Sequence, residues 1–259
     1  MRRLITLVSA LAFLPLAASA QNENVVVTGQ QSMTGMWKFH NEESEGPFNG
    51  SGYCRVRQTD DDLAIRCMGG GKWSGTLNGA TFHISTQGYI SFNHGPLTAI
   101  PGGWLVLDAA LDSPTAFHGT GGIKLIGFTI FQSKLDKKLQ MTGTKFVLPE
   151  NTPDGSGKGG LLKTVLQELG KGAIQMPHAP DLTSNFGRLA SANKPEDIRS
   201  LGDIQGVIYL GEDKSDRWDG KKELPPFLFS VYQVEFTNGE RLCGIHQRDD
   251  GAVDGFLCV

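Results

Sequence analysis

The chain of 259 residues is poor in the features that would name a chemistry. Beyond residue 20 it has no long apolar run, so nothing in that part reads as a membrane span. It has no surplus of base: residues 21–148 carry 10 basic and 10 acidic side chains, and residues 149–259 carry 12 and 17. A neutral stretch followed by an acidic one lacks the footprint of a nucleic-acid partner, and none is expected. No Cys-x-x-Cys pair and no metal-ligand spacing occurs. Ser51 and Ser85 sit in no Gly-x-Ser-x-Gly elbow, which leaves no nucleophile. Gly155-Ser156-Gly157-Lys158 lacks the first glycine and the hydroxyl residue of a phosphate loop. No catalytic residue, metal or cofactor is expected on these grounds.

What is present begins at the N-terminus. Arg2 and Arg3 precede an apolar run, Leu4 to Ala17, that ends in Ala18-Ser19-Ala20. This is the pattern of a secretory signal cut before Gln21, and it predicts a periplasmic or secreted mature chain. All four cysteines follow it, an even number suited to an oxidising compartment.

Their spacing selects one pairing. Setting Cys54 opposite Cys67 in a hairpin aligns Val56 with Ile65 and Gln58 with Leu63, and centres the turn on Asp60-Asp61. Apolar residues then share one face while Arg55, Arg57 and Arg66 share the other, as the two-residue period of a strand requires. Setting Cys243 opposite Cys258 aligns Ile245 with Phe256 and Gln247 with Asp254, about Asp250-Gly251. Disulfides 54–67 and 243–258 are therefore expected. A two-residue turn would put the first at a narrow, non-hydrogen-bonded pair and the second at a wide one; a four-residue loop, Asp249 to Ala252, would make both narrow.

From Ser32 to Val147, short β-like segments alternate with Gly, Asn, Asp and Pro: 36–40, 52–58, 63–68, 71–77, 81–85, 89–92, 104–109, 115–119, 124–131 and 138–146. They predict an antiparallel barrel or sandwich over residues 30–148. Residues 149–160, with two Pro and four Gly, read as a linker. Over 161–259 a helical face at Leu161, Leu162, Val165, Leu166 and Leu169, a second helix over 194–201, strands 205–210 and 228–237 and the cystine hairpin predict a small α+β module with helix on one face of its antiparallel sheet. Glu212 to Arg217 reads as a mixed-sign surface loop, and Glu42-Glu43-Glu45 and Asp60-Asp61-Asp62 as solvated turns.

Two family resemblances follow. Thr34-Gly35-Met36-Trp37 is similar to the Gly-x-Trp signature of lipocalin-like barrels; with Cys54, Cys67 and Trp73 the segment 33–92 also resembles small secreted inhibitors of bacterial metalloproteases. That likeness implies a protease contact through the segment ahead of the barrel, Gln21–Gln31. The pattern from Leu201-Gly202-Asp203 through Val231 to Gly239 and Asp250-Gly251 resembles cystatin-like α+β modules of secreted bacterial proteins, which implies an accessory role.

The candidate residues are aromatic. Trp37, Trp73, Phe92, Trp104 and Phe117 either fill a barrel or line a ligand cup in one. The leading expectation is a non-enzymatic binding protein that takes a small apolar ligand or a protein partner at the barrel. One alternative is a hydrolase or isomerase site in the C-terminal helix–sheet pocket with Asp203, Tyr232 or Glu235; the other is protease inhibition. His83, His94 and His118 lack close ligand spacing and predict no zinc site.

Overall fold

In the computed structural model, the structure describes residues 31–41, 50–68, 71–86, 104–125, 128–130, 139–147, 181–192, 195–250 and 253–259. The leader, the linker, the Leu161–Leu169 face, the strand at 89–92 and the Glu42–Glu45 cluster lie outside these residues.

The N-terminal half forms β1 (Gly35–Asn41), β2 (Gly50–Thr59), β3 (Asp62–Cys67), β4 (Lys72–Asn78), β5 (Thr81–Thr86), β6 (Trp104–Ser113), β7 (Ala116–Leu125), β8 (Phe128–Ile130) and β9 (Leu139–Lys145). They run antiparallel in the order β6-β5-β4-β3-β2-β1-β9-β7, and β6 pairs with β7 to close an eight-stranded barrel. The short β8 pairs with β7 at 123–125, beyond the 116–121 stretch that β9 occupies. One expected boundary moves: the segments at 115–119 and 124–131 belong in part to one strand, since β7 continues through Gly121-Gly122 along β6.

The C-terminal half forms α1 (Asn185–Ala192), α2 (Pro195–Arg199), β10 (Ile204–Trp218), β11 (Glu223–Phe236), β12 (Gly239–Gln247) and β13 (Val253–Cys258). The four strands make an antiparallel meander in sequence order. Helix α1 is unanticipated. Ser184 caps it, its Oγ accepting the Gly187 N–H at 2.9 Å, while Ser215 Oγ on β10 accepts the Phe186 N–H at 3.1 Å. The expected surface loop at 212–217 is corrected outright: it lies within β10, and Asp213 and Ser215 are buried. Pro225-Pro226, which argue against a strand, sit in β11 where the β10 register shifts and β12 has not yet begun to pair.

Both disulfides form as expected, 54–67 and 243–258. The first hairpin keeps its predicted register through Thr59↔Asp62, with Asp60 at φ 53° in the turn. The second is corrected at its tip. Pairing runs from Cys243↔Cys258 to His246↔Gly255 and then slips, so that Gln247 faces Val253 rather than Asp254, and residues 248–252 separate the strands. Cα separations of 4.0 and 4.1 Å place both bridges at the narrow kind of pair, reached by a slip rather than by a four-residue loop.

Side-chain alternation divides the apolar residues among three cores. Trp37, Phe39, Cys54, Val56, Leu63, Ile65, Leu77, Phe82, Ile84, Leu107, Ala109 and Phe117 fill the barrel. The outward residues of the same strands include Met36 and Tyr53, which with Met68 pack against Phe227, Phe229, Val231, Leu242 and Leu257 of the sheet and Phe186 of α1. The opposite sheet face, with Val234, Phe236, Ile245 and Phe256, packs against Ile198 of α2. Helix therefore does not cover one sheet face alone; the barrel wall shares a core with it.

Candidate functional site

The barrel interior comes first, because the sequence placed its candidates there. Trp37 and Phe39 on β1 and Phe82 on β5 surround the ring of Phe117, at centroid distances of 5.6, 5.1 and 5.1 Å, the two phenylalanines edge-on. The Trp37 Nε1–H donates to the Met33 carbonyl at 2.7 Å, which satisfies the one polar atom of that buried ring. Phe117 fits only because Gly143 stands beside it on β9: a Cβ there would lie 1.9 Å from Phe117 Cε1. These four rings are buried together in the barrel core. Trp73 is half-buried and packs against the same core. Trp104 is half-buried at an outward-facing position of β6, alternate to Leu107 and Ala109, and is not brought to Phe117. Phe92 lies outside the described residues.

The outer wall of β4–β7 presents an open groove of about 480 Å³. Register builds it from two rungs. Thr76, His83, Asp108 and Thr120 are directly opposed across the four strands, and Asn78 leads through Thr81 and Ala110 to His118 in the next. His83 Nδ1 lies 2.6 Å from Asp108 Oδ1, and His118 Nδ1 lies 2.5 Å from Asp112 Oδ1. Pairs this exposed contribute little stability, about 0 to 1 kcal/mol; their effect is to hold each ring and leave Nε2 available. Ala110, the small residue of the second rung, keeps the groove open. Among the described residues no group of three or more His, Cys, Asp or Glu is placed to hold a metal ion.

The C-terminal candidates do not assemble. Tyr232 is buried on the sheet face away from the barrel, 5.4 Å ring to ring from Tyr209, while Asp203 and Glu235 are exposed. Among the described residues the buried carboxylate is Asp213, on the other face. Its Oδ2 accepts the Tyr53 N–H from β2 at 3.2 Å, and its Oδ1 accepts the Lys214 N–H at 2.9 Å. Burial pushes its pKa up to about 6, against the downward pull of those two hydrogen bonds and of the Lys38 and Lys214 charges. Beside it the Tyr53 hydroxyl donates to the Leu210 carbonyl at 3.2 Å, over Gly211 at φ +140°, where a Cβ would come within 2.4 Å of that hydroxyl. Asp213 thus fastens barrel to sheet. The signal that could have found it is the alternation of Asp213, Ser215 and Arg217 along a continued strand.

All four cysteines are bridged, so no thiol is free to act as a nucleophile. No described helix is long and apolar enough to cross a membrane. No protein family, no curated protein and no solved structure matches this chain.

Proposed function

We propose that this chain is an exported, non-enzymatic binding protein whose β-barrel takes a protein partner on its outer wall. Export is supported by the N-terminal pattern of Arg2-Arg3, apolar run and Ala18-Ser19-Ala20, and by two disulfides suited to an oxidising compartment. The observation that carries the reading is the open groove over β4–β7, on the outside of a barrel whose core packs around Phe117. A site for a small apolar ligand buries most of the ligand against apolar walls. An open trough that sets Thr, His, Asp and Asn side chains beside Phe82 and Ala110 would leave a small ligand exposed, and instead suits an extended segment of another protein that meets it along its length.

The test places a photoreactive residue at Thr120 in the exported protein, with a control at exposed Lys221. The expected result is a single cross-linked species from position 120 that the substitution Ala110→Arg abolishes. The purified species should bind a His83→Ala, His118→Ala double variant about tenfold more weakly, a loss of roughly 1.4 kcal/mol. Cross-links equal at 120 and 221, or untouched by Ala110→Arg, sink the proposal. Binding that instead depends on residues 21–31 would move the contact to the N-terminal segment and favour protease inhibition. An apolar molecule retained in native mass spectra, and lost on filling the barrel further, would restore the small-ligand reading.

A further inference from the structure

Side chains on the outer face of β2–β4 form a second feature, remote from the groove. The ladder sets Arg55 directly opposite Arg66, and Arg66 directly opposite Lys72, so three cations lie in one rung across three strands. Arg57 follows two residues along β2. Like charges opposed in this way destabilise a sheet unless something offsets them.

The seam with the second sheet adds a fourth guanidinium. Arg241 on β12 donates from Nη1 to the Glu240 carbonyl at 2.9 Å, and Arg55 donates from Nη1 to the same oxygen, also at 2.9 Å. Two cationic heads therefore converge on one neutral acceptor. Arg57 reaches the same turn: its Nη2 lies 3.8 Å, and Arg241 Nη1 3.6 Å, from where a Cβ on Gly239 would sit. The nearest acid does not neutralise them by contact. The Glu240 carboxylate is engaged by Gln233 Nε2 at 2.5 Å, and among the described residues no carboxylate lies within ion-pair distance of Arg55, Arg57, Arg66 or Arg241. The Arg55 Nε–H is buried and finds no acceptor in the protein. A buried donor left in this way costs about 1 to 3 kcal/mol. Burial, and then repulsion from Arg57 and Arg241, lower the Arg55 pKa to about 10, with Glu240 opposing and Arg66 adding to the fall.

We propose that Arg55, Arg57 and Arg241 form a binding site for a small oxyanion of the phosphate or sulfate class, at the seam between barrel and sheet. An anion with several oxygens supplies what the cluster lacks: an acceptor for the Arg55 Nε–H, charge against the Arg55–Arg66–Lys72 rung, and oxygens for the forks of Arg57 and Arg241. Guanidinium groups suit this work, because their planar donors meet such oxygens in pairs. The site draws on strands 185 residues apart in the chain, so it exists only when barrel and sheet are joined.

The test is calorimetric titration of the full chain with inorganic phosphate and with sulfate, at fixed ionic strength in chloride. Saturable binding by at least one is expected, with a thermal midpoint raised relative to chloride. Arg57→Gln and Arg241→Gln should each weaken binding by at least about tenfold, and Lys221→Gln should leave it unchanged. Arg57 is exposed and Arg241 half-exposed, so both variants should fold where Arg55→Gln does not. A parallel sedimentation with phosphatidylglycerol vesicles separates the sources: binding to vesicles assigns a lipid headgroup, and binding to free phosphate alone assigns a soluble anion. Absence of saturable binding in all these arms, or binding that survives the loss of Arg57 and Arg241, overturns the proposal. The groove on β4–β7 plays no part in this test, so the two readings fail separately.

Discussion

The barrel and the four-stranded sheet are both antiparallel and both carry a cystine hairpin, yet they solve the burial problem differently. The barrel closes on itself through β6 and β7 and surrounds its core, so the described interior side chains find partners within the same ring of strands. The sheet is open and has two faces to cover. One face meets α2; the other takes Met36, Tyr53 and Met68 from the barrel wall and Phe186 from α1. A staple of similar span in each half, 13 residues in one and 15 in the other, therefore does not make the halves equivalent. Loop closure stabilises a hairpin, but only packing against the barrel completes the core on that face of the sheet.

The largest effect that tests this contrast is Phe117→Ala. It removes the ring around which Trp37, Phe39 and Phe82 pack and should lower unfolding free energy by about 3 to 5 kcal/mol in urea denaturation. If the sheet relies on the barrel, tryptophan fluorescence and far-ultraviolet dichroism shift together. A surviving transition of the sheet alone would break the comparison.

Asp213 gives the next effect, and its sign is defined. The folded-state pKa of about 6 lies above the ordinary 3.8, so the folded chain holds the proton more tightly than the unfolded one. This contribution to stability is fully present below about pH 3.8, falls as pH rises to about 6, and is flat beyond. Asp213→Asn removes the titration. Between pH 4 and pH 7 the stability difference between variant and wild type should move by about 2 kcal/mol in the variant's favour. Parallel curves for the two proteins would show that the carboxylate is not buried at the seam.

The smallest is Tyr53→Phe, which deletes one hydrogen bond to the Leu210 carbonyl and keeps the ring stacked on Phe146 at 5.5 Å. A loss of about 1 kcal/mol is expected in urea denaturation. A larger loss would mean that the seam depends on this hydroxyl rather than on its apolar core, and would sharpen the contrast between the halves.

Much of the architecture was legible because it is local. Cys54 to Cys67 fold against each other about a two-residue turn, and alternation alone told Val56 and Ile65 from Arg55 and Arg66. The second hairpin was legible at its cystine and not at its tip, because a register slip at Gln247 is neutral to the pattern of apolar residues that revealed the strand. Glu212 to Arg217 was misread for a related reason. Charge in a strand looks like a loop until a partner supplies Asp213 with the Tyr53 amide, 160 residues away in the chain. Of the aromatic candidates, Trp37 and Phe117 met as core, which their alternation with polar neighbours permitted, while Trp104 took the outward side of its strand.

By itself, then, the sequence determined the β-rich class, the two cystines and the inward faces of the barrel strands. These follow from side-chain alternation, turn chemistry and residue inventory, all of which act over a few residues. Tertiary structure alone decided that Trp37, Phe39 and Phe82 pack around Phe117 inside the barrel, that the sheet shares a core with its wall, and that His83 and His118 line one groove while Arg55, Arg57 and Arg241 meet at one seam. Each of those depends on which strands become neighbours after closure, and no short-range preference encodes the pairing of residues 55 and 240.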